Sequence, residues 1–136
     1  MTIKPNESGT TYRNRLTKSI VLAIRKLMQK GQPDSESLDM AAYVVLALEK
    51  IAESVNTSAL AWEKRDYWLK ADRFRMDWAW VDTRSRLLCQ AVLDQDWGKI
   101  VPELVQIAQN LSSVEVAEKN RLGEPWVGAH KALSSR

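Results

Sequence analysis

Apolar residues recur at intervals of three and four along most of this chain, and this period predicts amphipathic α-helices. The first such stretch predicts a helix from about Thr10 to Lys30, because Gly31 and Pro33 favour a stop there. Residues 1–9 before it are expected to form a flexible lead-in. The apolar stripe of this helix consists of Tyr12, Leu16, Ile20, Ala23, Ile24 and Leu27.

A second helical pattern follows a capping residue at Asp34 or Ser35. Its inward positions alternate steps of three and four, which is typical of bundle helices. From Met40 to Leu48 the sequence is apolar nearly all round, so we expect this helix to lie in the middle of a bundle. The inward positions are Leu38, Ala41, Val45, Leu48, Ala52, Val55, Ala59 and Trp62.

Neither glycine nor proline occurs from Asp34 to Trp97, and the same apolar phase resumes at Leu69, Met76, Trp80 and Leu87. A turn would have no reason to preserve this phase, so the pattern favours one continuous helix over residues 35–95. A kink near residues 56–66 is compatible with this helix, and the alternative is two helices separated by a turn at residues 56–58. A continuous helix would be about 90 Å long. It would make the molecule elongated, most simply as a dimer that covers the exposed length.

The segment from Leu60 to Leu93 has two apolar faces, whereas a surface helix needs one. We therefore expect burial on both sides, within the monomer or against a partner. Charge pairs one turn apart are expected on the flanks: Asp66–Lys70, Asp72–Arg75 and Asp82–Arg86. One stripe contains Tyr67, Ala71, Phe74, Trp78, Val81, Leu88 and Val92, and the other contains Trp62, Leu69, Met76, Trp80, Leu87 and Ala91.

Two shorter helices are predicted beyond Gly98. The first covers residues 99–111, where Pro102 is tolerated in the first turn. The second covers residues 112–122, because Ser112 and Glu115 form a capping-box pattern. The pattern as a whole predicts an all-α, elongated helical bundle of about four to five helices. Its single domain covers residues 10–122, and residues 123–136 form an irregular tail whose Trp126 docks on the bundle.

The size and composition are those of one globular domain: 136 residues, of which 45% are hydrophobic and 27% charged. The apolar run from Met40 to Leu48 is too short to span a bilayer, and no secretory signal pattern precedes Tyr12. Cys89 is the single cysteine, which excludes an internal disulfide and fits a reducing compartment. A cytoplasmic protein without a membrane span is expected.

The formal net charge of +3 is unevenly distributed. Residues 1–31 have a strong basic excess, and residues 32–62 have an acidic one. Opposite charges on neighbouring segments are expected when adjacent helices pack antiparallel. The alternative is a basic arm for nucleic acid or anionic lipid. In the nucleic-acid case the residues that would meet phosphate are Arg15, Lys18, Arg25 and Lys26.

The residues needed for common catalytic and metal sites are nearly missing. His130 is the single histidine, and Cys89 lies about forty residues away from it. One cysteine and one histidine make an intrachain zinc site implausible, and no Glu-x-x-His pair exists for a di-metal bundle. The five glycines form no phosphate-binding loop. We therefore expect a protein that is not an enzyme and has neither a cofactor nor a metal.

The most distinctive motif runs from Trp62 to Trp80 and interleaves aromatic with basic residues. Aromatic and arginine side chains are enriched at interface hot spots, so the candidate partner-binding residues are Trp62, Trp68, Arg73, Arg75 and Trp80. Trp68 falls between the two stripes and is expected to be exposed. The leading interpretation is a scaffold or adaptor that binds a protein or self-associates. The alternative is a small basic helical subunit contacting nucleic acid in a ribonucleoprotein or DNA-bound assembly.

Overall fold

A computed structural model describes residues 7–117 and 122–136, which contain six α-helices and no strand. The prediction of an all-α fold is confirmed. Five of these helices have ten residues or more, and the last is a short helix of six. The helices are α1 (Gly9–Met28), α2 (Ser35–Glu63), α3 (Trp68–Asp77), α4 (Ala79–Leu93), α5 (Trp97–Asn110) and α6 (Ala129–Ser134).

Helix α2 lies at the centre of the bundle, as its nearly uniform apolar sequence predicts. It packs against α1, α3, α4 and α6, while α5 packs on α4. Between Met40 and Leu48 every side chain except that of Leu46 is buried. An apolar surface on all sides requires such burial, because a surface helix would leave one of its faces in water.

Helix α1 ends at Met28, before Gly31 and Pro33, and the predicted cap at Asp34 begins α2. The Asp34 carboxylate accepts a hydrogen bond from the Ser37 backbone N–H at 2.8 Å, and the Ser37 hydroxyl accepts one from the Asp34 N–H at 3.2 Å. Lys30 lies 3.0 Å from Asp34 and 2.8 Å from Glu36. The hydrogen bond from the Ser37 backbone, followed by those from Lys30 and the Ser37 hydroxyl, lowers the pKa of Asp34 to about 2.

The prediction of a continuous helix over residues 35–95 is wrong. Helix α2 ends at Glu63, and the chain turns at Asp66, which adopts the left-handed region with φ 64°. A second interruption at Trp78 separates α3 from α4. Helix α3 packs at the end of α2, where Arg75 pairs with Glu63. Helix α4 then runs back along α2, since Asp82 lines a cavity with Asn56, and Cys89 lines another with Glu49 further along.

The region after α5 also differs from the prediction. Residues 112–117 are not helical, so the helix expected over 112–122 is wrong there, and residues 118–121 lie outside the described residues. The tail is not irregular throughout, because residues 129–134 form α6. The Asp39 carboxylate holds its start by accepting hydrogen bonds from the Gly128 N–H at 3.3 Å and the His130 N–H at 2.9 Å. Docking of Trp126 is confirmed, with 1% of its side chain exposed.

The ion pairs connect different elements instead of neighbouring turns. None of the three expected flank pairs closes within the described residues. The i,i+4 geometry occurs at Lys30–Asp34. Pairs between different elements do not depend on the spacing of residues within one helix. The i,i+3 and i,i+4 rule could therefore not predict them. The cross-element pairs are Arg15–Glu7, Lys30–Glu36, Arg75–Glu63, Arg84–Glu103 and Arg136–Glu49.

In the described part of the chain no helix is long and apolar enough to cross a membrane.

Candidate functional site

Helix α3 leaves most of its large apolar side chains in water. Its one buried residue is Ala71. The exposed fractions are 50% for Tyr67, which precedes the helix, 57% for Trp68, 64% for Leu69 and 75% for Met76. Single exposed apolar residues are normal on protein surfaces, but a contiguous group marks an interaction site. The prediction that Trp68 is exposed is confirmed.

An aromatic cluster holds the inner side of α3 against α2. The Phe74 ring meets the Trp62 ring edge to face, with centroids 4.7 Å apart. Phe74 also approaches Trp78 at 6.5 Å, and Trp78 stacks with Trp80 at 6.4 Å. Edge-to-face and offset contacts at these distances stabilise aromatic pairs beyond the area that they bury. Trp62, Trp78 and Trp80 therefore contribute to packing that fixes the position of α3.

Arg13 joins α1 to this cluster. The side chain is 5% exposed, and its Nη1 donates to the hydroxyls of Ser54 at 2.9 Å and Ser58 at 3.0 Å. Its guanidinium carbon lies 4.7 Å from the centroid of the Phe74 ring, in cation–π geometry. A Cβ atom at Gly9 would come within 3.1 Å of Nη1, so the glycine leaves room for the guanidinium. Burial lowers the pKa of Arg13.

A groove of about 560 Å³ runs along one side of α3, and we call it the α3 groove. It brings together Trp62, Trp68 and Arg73 from the predicted partner-binding residues. Lys70 also lines it, with Nζ 4.5 Å above the Trp62 ring. The aromatic rings form its apolar part, and acidic and basic groups lie on its rim. Its lining residues are Trp62, Asp66, Tyr67, Trp68, Leu69, Lys70, Arg73, Phe74 and Asp77.

Two of the predicted partner-binding residues lie elsewhere. Arg75 is paired with Glu63 and is half-buried, and Trp80 stacks on Trp78. Leu69 and Met76 were not selected as site residues, although both lie on the second apolar stripe of the sequence. That stripe is not fully covered within the monomer, because Leu69, Met76 and Leu87 are exposed. The second apolar stripe was therefore the signal in the sequence that could have identified Leu69 and Met76, because a second stripe needs a surface to cover it.

The four basic residues proposed for phosphate contact lie along α1 and are not equally available. Arg15 donates to Glu7 at 2.7 Å, and Arg25 donates to the backbone oxygen of Val116 at 3.2 Å. Lys18 and Lys26 are exposed. Lys30 provides the ion pairs between the basic segment and the acidic segment after it.

Groups suited to acid–base or metal chemistry are scattered. In residues 7–117 and 122–136 no three His, Cys, Asp or Glu side chains lie close enough to hold a metal ion. Cys89 lies 3.7 Å from Arg136, whose guanidinium binds Glu49 through two hydrogen bonds of 2.6 and 2.8 Å. His130 lies on α6, where its backbone binds Asp39. The α3 surface is therefore the strongest candidate site.

Comparisons with protein-family models, with curated proteins and with solved structures found no match for this chain.

Proposed function

We propose that this chain is a non-catalytic, all-helical scaffold or adaptor that acts through protein contacts made by α3. The observation that carries the proposal is the exposure of Tyr67, Trp68, Leu69 and Met76 on and beside one short helix. Burying a large apolar side chain contributes roughly 1.5–3 kcal/mol. A partner that covers these four side chains would gain part of this amount from each, because each is already partly buried.

The charges around these side chains favour a protein partner over nucleic acid. Exposed basic residues alternate with exposed acidic ones, so a phosphate backbone would meet repulsion at nearly every turn. Mixed charges around an apolar centre are typical of the polar rim of a protein interface. The basic residues are Lys64, Arg65, Lys70 and Arg73, and the acidic residues are Asp66, Asp72 and Asp77.

The α3 groove supports the same proposal. Its volume of about 560 Å³ is large enough to accept one or two side chains of a partner. Trp68 and Tyr67 are of the residue types that dominate binding energy when a partner encloses them. Because the Trp62–Phe74 contact and the Arg13 side chain hold α3 in place, the groove is formed before a partner arrives. Less ordering is then needed on binding.

The test is site-specific photo-crosslinking in the cells that make the protein. A photoreactive phenylalanine analogue would replace Trp68 or Met76, and in control variants Lys18 or Val101. All four positions are exposed, but the controls lie on α1 and α5. We expect protease-sensitive adducts, heavier than one chain, from positions 68 and 76 and none from 18 and 101.

Two outcomes would overturn the proposal. The first is no adduct from position 68 or position 76. The second is an adduct that nuclease removes, which would favour the alternative of a nucleic-acid-binding subunit. In that alternative Lys18→Glu with Lys26→Glu would weaken binding, and added salt would weaken it steeply. A cytosolic location belongs to the proposal, because the single cysteine Cys89 fits a reducing compartment.

A further inference from the structure

Four exposed residues form a ridge on the side of α3 that points away from the bundle. Leu69, Asp72, Arg73 and Met76 have the spacing i, i+3, i+4, i+7, which places them on one helical face. Ala71, on the opposite face, is buried. We call these four residues the α3 ridge. Its centre carries one acid and one base, and an apolar side chain lies at each end.

The charged pair at the centre is not used by the fold. Asp72 and Arg73 make no hydrogen bond or ion pair with any residue in the part of the chain that the structure describes. Neighbouring charged residues such as Arg75 and Arg84 find partners on other helices. Two opposite charges at adjacent positions therefore stand free between the two apolar side chains of the ridge.

The order of residues along the ridge is complementary to itself when reversed. A two-fold axis between positions 72 and 73 would place Leu69 opposite Met76 of a second copy. The same axis places Asp72 opposite Arg73, and the symmetry produces each contact twice. A parallel arrangement would instead place Asp72 opposite Asp72. The antiparallel arrangement also sets the helix dipoles against each other favourably.

We infer that the partner of the α3 ridge is a second copy of this chain, bound antiparallel through Leu69–Met76 and Asp72–Arg73 contacts. This inference rests on the proposed function and names its partner. A partner whose surface carried charges of one sign would place a group of the same charge opposite either Asp72 or Arg73. The second copy satisfies both charges. Because a ten-residue helix offers a small contact area, the dimer is weak and depends on concentration.

The test is the mass of the full chain by sedimentation equilibrium, between about 10 and about 300 µM. The wild-type mass should rise from 15.5 kDa towards twice that value as the concentration increases. Asp72→Arg places two positive charges opposite each other, and Arg73→Asp places two negative charges there. Each reversal occurs at two symmetric contacts, so we expect each to weaken the dimer roughly ten- to a hundredfold.

Two restored complementary pairs make the test specific for a second copy. A mixture of the Asp72→Arg chain with the Arg73→Asp chain pairs positive with negative charges at both contacts, so a heterodimer should form. The double variant Asp72→Arg with Arg73→Asp should also regain the dimer. Lys18→Glu on α1 is the charge-reversal control and should leave the mass curve unchanged. Circular dichroism would verify that every variant keeps its helices.

The results separate this inference from the proposed function. A wild-type mass of one chain at every concentration overturns the inference. So does a dimer that survives the single reversals, or a mixture that stays monomeric. If position 68 still crosslinks to a different protein in those cases, the scaffold proposal stands without self-association. If it crosslinks to nothing, both are wrong.

Discussion

Arg13 of α1 is buried in contact with α2 and α3, and its charge is met by two serine hydroxyls and the face of Phe74. The sequence contained a signal for this position. Positions 13, 16, 20, 23 and 27 alternate steps of three and four, so Arg13 lies on the inward stripe of α1. What could not be predicted is the partner set, because Ser54 and Ser58 lie more than forty residues away along the chain.

Truncation of Arg13 should destabilise the protein. We expect Arg13→Ala to lower the free energy of unfolding by about 2 kcal/mol, because two hydroxyls lose their donor and the ring loses its cation. Arg13→Lys should recover little of this loss, since an ammonium group cannot reach both hydroxyls and the ring together. Urea unfolding measures both. Arg86→Ala on the exposed side of α4 is the control, and it should change the free energy of unfolding by less than about 0.5 kcal/mol. Equal losses of stability for Arg13→Ala and Arg86→Ala would show that Arg13 does not hold the helices together.

Among the helices, the sequence predicted both ends of α1 and α5, and the start of α2, to within about two residues. It failed at the turn between α2 and α3, where residues 62–67 contain no glycine or proline. Asp66 supplies the left-handed conformation that glycine usually provides, which short polar side chains tolerate. The apolar phase shared across the turn does not mark a continuing helix, because Leu69, Met76 and Leu87, which carry it beyond the turn, are exposed.

The start of α2 gives a prediction about pH. The folded-state pKa of Asp34 is about 2, below its ordinary value of 3.8, so the ionised form stabilises the fold. This contribution is fully present above about pH 4 and is lost as the pH falls through about 2. Asp34→Asn keeps a capping oxygen without the charge. Its melting temperature should be lower than that of wild type by a few degrees at about pH 6, and the gap should close near pH 2.

Thermal unfolding followed by circular dichroism measures this gap. Asp77→Asn is the matched control, because Asp77 is exposed and makes no hydrogen bond or ion pair with the residues that the structure describes. Its melting temperature should follow that of wild type across the same pH range. A gap for Asp34→Asn that is constant with pH would show that the Asp34 charge does not stabilise the helix.

At the scale of the whole molecule, the bundle is completed by residues far along the chain from those they cover. Trp126, Ala129 and Leu133 belong to the same buried cluster as α1 and α2. The sequence predicted that Trp126 docks but not that α6 forms. Six residues are too few for a periodic pattern, and the helix start is held by Asp39 of α2. Local sequence cannot show such a distant partner.

Part of the candidate site could be predicted from the sequence. Trp68 and Arg73 were named as partner-binding residues, but the α3 groove that they line exists because the chain turns between α2 and α3, and the sequence did not predict that turn.

Substitutions of two tryptophans should separate core from surface. We expect Trp126→Ala to cost about 3–5 kcal/mol of unfolding free energy, because it leaves a cavity in the core. Trp126→Phe should cost less, since a benzene ring fills most of the space of the indole and the indole Nε1–H has no acceptor in the described residues. Trp68→Ala should cost less than about 1 kcal/mol, because its side chain is 57% exposed. Urea unfolding compares the three, and a Trp68→Ala loss as large as that of Trp126→Ala would contradict this assignment.

The docking of Trp126 and α6 on α2 also has a consequence for protein synthesis. Residues Met40–Leu48 leave the ribosome long before Trp126, and until then part of their apolar surface has nothing to cover it. We expect the nascent chain to pass through a partly folded state that exposes this surface and is prone to aggregation. Cells that make this protein should therefore protect α2 with chaperones until residues 126–136 have emerged.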